Sequence, residues 1–402
     1  MVCFLAAILV SATSASETES ADGNRRWNAK SIQLSLSKSL FRQNPAIKSG
    51  ASVKESIEAS AAAWGRAVPM VFRFVDSDLE SISDSGFRGD GNNLLTVAAT
   101  AHNLLLFPKE SKSPPAFTRL FFNRQGSIIE ADIVLNPFVQ FSTDGTSGTF
   151  DLQSVITHEL GHVLGLGHSP AMGATMYGRM SQNRDGYGAV FPARTLAESD
   201  ISMIRAAYGS EVADVNCCAS VAGNTNGSSL EVWAEDSSSG RVIAAEAFSN
   251  SRYSVGGFAT GKYRIFAQQT EGGAAVEVTT RGLELPTRLK TIIFGPASDL
   301  HIKFLGLNGE LGSVPIHVER GRTYQIFLGG TGLDPKTVSF GFSTPSISVV
   351  DGTAAAVDYG RGLSAVVLTM TVDEDIVGGE YSVFVESPDG SRRYMIGAVS
   401  VE

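Results

Sequence analysis

From Ile32 to Leu36 apolar and polar residues alternate, which predicts a strand with one buried face. From Ser52 the period lengthens. Val53, Ile57, Ala61, Trp64 and Val68 recur every three or four residues, which predicts an amphipathic helix over 52–68 with Ser52 as N-cap. Val71 to Val75 and Leu94 to Ala99 are apolar runs of strand length, and Ser113-Pro114-Pro115 breaks the pattern. Leu120 to Phe122 and Ile128 to Leu135 read as two strands joined through Asn123-Arg124-Gln125-Gly126, a hairpin signal. Asp151 to Leu164 is the clearest helix. Asp151 can cap it, Phe150 and Val155 are spaced as a hydrophobic staple, and Gly165 and Gly167 end it. A last helix is expected from Ala197 to Tyr208, closed by Gly209.

After Gly209 the pattern changes. Leu230 to Ala234, Val242 to Ala247, Tyr253 to Val255, Tyr263 to Gln268 and Ala275 to Thr279 are short strands between Gly, Ser and Asn turns. A second set follows: Ile316 to Val318, Thr323 to Leu328, Ile347 to Val350, Ala365 to Val372 and Tyr381 to Val385. The expected architecture is an α+β domain over 27–210, a twisted sheet flanked by helices, followed by two all-β sandwich modules over 211–282 and 283–402. The aromatic residues of these modules alternate with polar ones and are expected in the sandwich cores.

Composition narrows the class. The 402 residues are 43% hydrophobic and 18% charged, a folded composition with room for several cores. The net charge of -9 and the lack of basic clusters argue against nucleic acid or an anionic membrane surface as partner. Val2 to Val10 is apolar and followed by small residues. It is too short to span a bilayer and fits a signal peptide over 1–15, although the usual basic start is missing. Residues 16–26 are an expected exposed leader, and the protein is expected to be secreted or cell-surface associated. Beyond Cys3 the cysteines are the adjacent Cys217 and Cys218. A vicinal disulfide, two free thiols and a bond between chains all fit that pair.

Chemistry concentrates in one window. His158-Glu159-Leu160-Gly161-His162 sets two imidazoles at i and i+4, on one helix face, where both can reach one ion. Glu159 lies beside that face, placed for a water and not as a ligand. Gly165 stops the helix, and His168 adds a third imidazole. Three His ligands leave one tetrahedral position open, as catalytic Zn2+ requires. The bland alternative is a polar patch on a core helix, but three imidazoles and a carboxylate buried there would be costly without a metal.

The window His158 to His168 resembles the metzincin zinc signature, and Ser169 after it resembles the matrixin branch. Ala174-Thr175-Met176-Tyr177 resembles the Met-turn, with Met176 beneath the metal. Glu130 to Asn136 looks like the strand before the active-site helix in bacterial matrixin-like peptidases, and Leu196 to Gly209 like their closing helix. The resemblance spans about residues 27–210. It implies a zinc endopeptidase acting on protein or peptide substrates, with His158, His162 and His168 as ligands and Glu159 as general base and acid. Gly178 stands where astacin-like relatives carry a tyrosine ligand, so a fifth ligand is not expected. A Cys-bearing propeptide is not expected either. The remaining histidines, His102, His301 and His317, are not expected to make a structural zinc site. Ca2+ on Asp132, Asp144 or Asp151 is a further candidate, against solvated loop carboxylates, and the Asp-rich stretch from Asp76 to Asp90 is expected to be a solvated loop.

Residues 211–282 look similar to carboxypeptidase-regulatory-like or prealbumin-like modules, and 283–402 to an Ig-like module. Extracellular-matrix or cell-surface contacts would fall there. The alternative is a secreted adhesion or binding protein with a vestigial peptidase domain.

Overall fold

The computed structural model describes residues 13–14, 25–84, 89–107, 113–183, 192–209, 217–227, 229–270, 272–279, 287–289, 291–294, 300–307, 309, 311–358 and 363–402. The expected signal peptide over 1–15 lies outside them, save Thr13–Ser14, which pairs antiparallel with Arg179–Met180.

The first part of the chain builds one five-stranded sheet. Its strands are β1 (Ser31–Ser37), β2 (Val71–Ser77), β3 (Asn93–Thr96), β4 (Ala116–Phe122) and β5 (Ile128–Leu135), in the order β2-β1-β3-β5-β4. All neighbours run parallel except the edge strand β4, which runs antiparallel to β5 across the predicted hairpin. The parallel pairs need crossovers, and helix α1 (Val53–Gly65) supplies the one between β1 and β2. Ser52 holds the N-cap position of α1 but makes no side-chain cap bond.

Helix α3 (Leu152–Val163) packs against α1 on one face of this sheet; a single turn, α2 (Ala101–Leu104), precedes β4. The fully buried Trp64 joins the two long helices and donates its indole N–H to the Thr157 carbonyl at 2.8 Å. Asp151 caps α3 as predicted: its carboxylate accepts the Ser154 N–H at 2.9 Å and is gripped by Arg194. Helix α4 (Glu198–Tyr208) closes this part. Its Tyr208 hydroxyl donates to Leu164 O and accepts from Trp27 N, tying the start of the sheet to the end of α3.

The Asp76–Asp90 stretch is not uniformly solvated. Ile82 and Ser83 are buried, because their N–H groups are taken by Asn103 and by the buried carboxylate of Asp132.

Beyond residue 217, where Cys217 and Cys218 are joined by a disulfide, only strands occur among the described residues. Strands β6 (Ala219–Asn224), β9 (Arg252–Phe258) and β12 (Thr287–Arg288) form one sheet; β7 (Leu230–Asp236), β8 (Val242–Phe248), β10 (Tyr263–Gln269) and β11 (Val276–Thr279) form another. The two share a core that includes Val221, Val232, Val255 and Ile265. Because β12 pairs with β6, and Ile292 and Phe294 join that core, this unit reaches past the boundary predicted at residue 282. A second pair of sheets shares a core around Ile326, Leu368, Tyr381 and Val399. Strand β13 (His301–Leu307) leads one of them, with β15 (Thr323–Thr331), β19 (Ser364–Val372), β17 (Ile347–Val349) and β18 (Ala355–Asp358). The other holds β14 (Ile316–Val318), β21 (Arg392–Val401), β20 (Gly379–Glu386) and β16 (Ser339–Phe342). No described helix is long and apolar enough to cross a membrane.

One expectation fails here. Trp233, Phe266 and Tyr394 do not sit in the sandwich cores. Trp233 stacks on Phe266 and Tyr394 packs tilted against both, at a seam where the outer face of β7, β8 and β10 meets β21 and the loop after α3.

Candidate metal centre

Helix α3 presents His158 and His162 one turn apart, both buried. It must then stop within a few residues to bring His168 back. A Schellman turn does this: Gly165 N–H bonds His162 O at 2.8 Å and Leu166 N–H bonds Gly161 O at 3.0 Å, with Gly165 at φ +91°. A side chain at Gly165 would be strained by that φ and would run into the Arg25 carbonyl. Gly167, the second predicted breaker, has an ordinary φ.

The turn brings the three imidazoles together, with ligand nitrogens within 4.8 Å of one another. His158 Nδ1 lies 2.7 Å from Thr175 O and His162 Nδ1 2.8 Å from Leu166 O. A carbonyl only accepts, so each Nδ1 carries the proton and each Nε2 offers a lone pair. Those two Nε2 atoms face each other at 3.1 Å, and His168 Nε2 is buried with no protein partner. Burial pushes all three imidazoles down, His162 to about 4 and His168 to about 3, and holds them neutral. Three neutral nitrogens aimed at one point, without a proton to share, fit a cation between them.

Glu159 is buried beside this set. Its Oε2 accepts the Thr118 hydroxyl from β4 at 2.5 Å. Burial raises its carboxyl to about 7, against the opposing Thr118 bond. Met176 is fully buried under the helix, and a Cβ at Gly161 would collide with its sulfur and with Trp64. Gly161 is therefore the residue that lets the loop close beneath α3.

Two supports escape the sequence pattern. Thr118 is one alternating residue in a strand, and nothing in its spacing marks it. Asp200 lies in the first turn of α4, fully buried, and accepts N–H bonds from Thr175 at 2.7 Å and from Met176 and Ala197 at 2.9 Å. It fixes the backbone whose Thr175 carbonyl orients His158. Its place near a helix start could have been read only as a cap.

The three calcium candidates do not converge. Asp132 accepts N–H bonds from Ser83 and Leu94, Asp144 bonds Lys48 and Thr146, and Asp151 is held by Ser154 and Arg194. Each carboxylate is thus already engaged by donors. His102 lies beside Asp84 on the surface. His301 and His317 belong to β13 and β14, far along the chain.

A Schellman-stopped helix with three converging imidazoles, a carboxylate beside them and a methionine beneath is the arrangement expected of the metzincins. The matrixin family model matches residues 26–209. Residues 26–209 are matrixin-like. The chain is 29% identical to the interstitial collagenase of Oryctolagus cuniculus over 187 residues, 46% of this chain and 34% of that protein. It is 43% identical to Metalloendoproteinase 1 of Glycine max over 67 residues, 16% of this chain and 18% of that protein. To Metalloendoproteinase 1-MMP of Arabidopsis thaliana it is 27% identical over 161 residues, 39% of each chain. The chain thus spans well under half the length of these relatives. The matrixin-like part ends where α4 ends, and the β-sheets after residue 217 lie outside the match.

Proposed function

We propose that the protein is a secreted zinc endopeptidase. The observation that carries this is the convergence of three neutral imidazoles, two buried and one half-buried, with one unpartnered Nε2, next to a buried carboxylate. His158, His162 and His168 would hold the zinc. When bound, zinc supplies Lewis acidity, lowering the pKa of water and polarising a carbonyl.

The chain's own residues do the rest. Glu159, raised toward neutrality, takes a proton from the attacking water and passes it to the leaving amine. Thr118 holds one Glu159 oxygen, which aims the other at the site. Strand β4, which carries Thr118, is the sheet edge, and no described strand pairs with its outer side. An extended polypeptide can add there as a further strand, its scissile bond beside Glu159. The two pairs of β-sheets after residue 217 are carried as sandwich modules, with surface left for extracellular contacts.

Casein cleavage with and without a chelator, in wild type and Glu159→Ala, tests this. The variant should keep one zinc per chain and lose at least about 10²-fold in rate. Unchanged cleavage in the variant, or cleavage indifferent to the chelator, would sink the proposal.

A further inference from the structure

The loop between His168 and Met176 contains both a proposed ligand's neighbour and the methionine beneath the site, yet much of its support comes from outside the matrixin domain. The Met172 N–H donates to Ile396 O at 2.8 Å and the Gly173 N–H to Gly397 O at 3.0 Å, both on β21. The Ser169 hydroxyl donates to Ala245 O on β8 at 3.2 Å. Ala171 and Ala174 are buried against Trp233, Phe266 and Ile396. The fit has no slack: a Cβ at Gly173 would collide with Glu380, and one at Gly397 (φ +57°) would press on Ala171 at 3.3 Å. Helix α4, whose Asp200 holds Thr175 and Met176, is gripped too. Its Ser202 hydroxyl donates to Gly256 O at 2.5 Å, and Gly257 lies so close to the Ser202 carbonyl that a side chain there would collide with it.

The geometry points to residues 217–402 as a clamp on the Ser169–Met176 loop, with Ile396 and Gly397 as positioning residues that act through the loop on His168 and Met176. Two backbone bonds and a buried apolar seam immobilise a segment that would otherwise be exposed chain between two helices. The matrixin domain is then not autonomous. Cleavage that releases the C-terminal sheets switches the site off instead of liberating an active fragment.

The test uses the full chain. Ile396→Ala, 2% exposed and at the seam, is compared with Ile265→Ala, 0% exposed and in the core shared by β6–β12. The readouts are amide exchange of the segment spanning Met172 and Gly173, and zinc affinity of the purified protein. Ile396→Ala should speed that exchange about tenfold and weaken zinc about tenfold, while Ile265→Ala lowers the melting temperature and moves neither. Ile396→Val gives a graded version should the alanine variant fail to fold. Equal exchange and equal zinc affinity in the Ile396 and Ile265 variants overturn the inference. The zinc arm rests on the proposed metal site; the exchange arm does not. A wild-type chain that binds no zinc therefore defeats the proposed function and leaves the clamp to be decided by exchange.

Discussion

In residues 25–209 many of the buried polar side chains gather around one short helix and its return loop. In residues 217–402 they gather at the seam between sheets, where Glu235 accepts from Trp233 and Ser382, and Glu380 packs over Gly173. The first set includes a group at sequence-local spacing: i and i+4 imidazoles, a breaker, a third imidazole. The second set comes together from strands more than a hundred residues apart. Imidazoles that converge from helical spacing therefore point to chemistry, whereas a buried polar group on the second face of a strand reports that another part of the chain covers that face. Strand β7 shows this directly. Leu230, Val232 and Ala234 fill their own core, yet Trp233 and Glu235 on the opposite face are equally buried.

The sharpest way to break this contrast is His162→Ala. If the imidazoles serve a metal and not merely packing, the variant should lose zinc and all measurable cleavage, at least about 10³-fold, because two ligands cannot close a tetrahedral site. Metal analysis beside circular dichroism checks it; a folded variant with full zinc content would return the triad to plain core. Next in size is Asp200→Ala. The change leaves the N–H groups of Thr175, Met176 and Ala197 buried without their acceptor, so a loss of about 3 kcal/mol is expected in urea melts, with zinc affinity falling in parallel. A loss below about 1 kcal/mol would mean that the loop does not depend on this carboxylate.

The legible and illegible parts follow the same division. The window from Asp151 to His168 could be read almost to the residue, since a cap, a period and a breaker are local devices and the structure uses Asp151, the period and Gly165 as expected. The hairpin of β4 and β5 was equally open, because turn chemistry sets register. Strand alternation likewise located most C-terminal strands. Alternation does not tell a core face from a docked face, and Trp233, Phe266 and Tyr394 lie on the docked one. Thr118 and Asp200 were hidden for the same reason: their partners lie 41 and 24–25 residues away, and no local pattern encodes the contact.

Glu380 tests the seam by pH. Burial, with the nearby negative charges of Asp200 and Glu198, raises its carboxyl from 4.5 to about 8. The folded chain thus keeps a proton there that the unfolded chain has lost, so this group's contribution is fully favourable below about pH 4.5 and falls as pH rises toward about 8. Glu380→Gln keeps the shape and removes the titration. It should flatten that decline and gain about 2 kcal/mol at pH 9 relative to wild type, with the two proteins close to equal at pH 4. Parallel stability profiles would show that the seam is open to water at Glu380.

The smallest effect comes from two helix starts that look alike in sequence. Asp151 and Ser52 both precede an apolar period and both are good N-cap residues. Only Asp151 is engaged, with Ser154 and Arg194; the Ser52 hydroxyl makes no cap bond, and its contact with Thr143 runs through the backbone N–H. Asp151→Ala should cost about 2 kcal/mol, the cap plus part of the ion pair, whereas Ser52→Ala should cost less than about 0.5 kcal/mol. The difference lies in what each helix must hold. Helix α3 has to place two imidazoles to within tenths of an ångström, so its first turn is fixed from both sides, while α1 need only keep Trp64 and its apolar stripe against α3, and burial does that without a cap. A Ser52→Ala loss as large as that of Asp151→Ala would show that α1 is held at its end after all, and that the metal helix depends on a partner anchored at both ends.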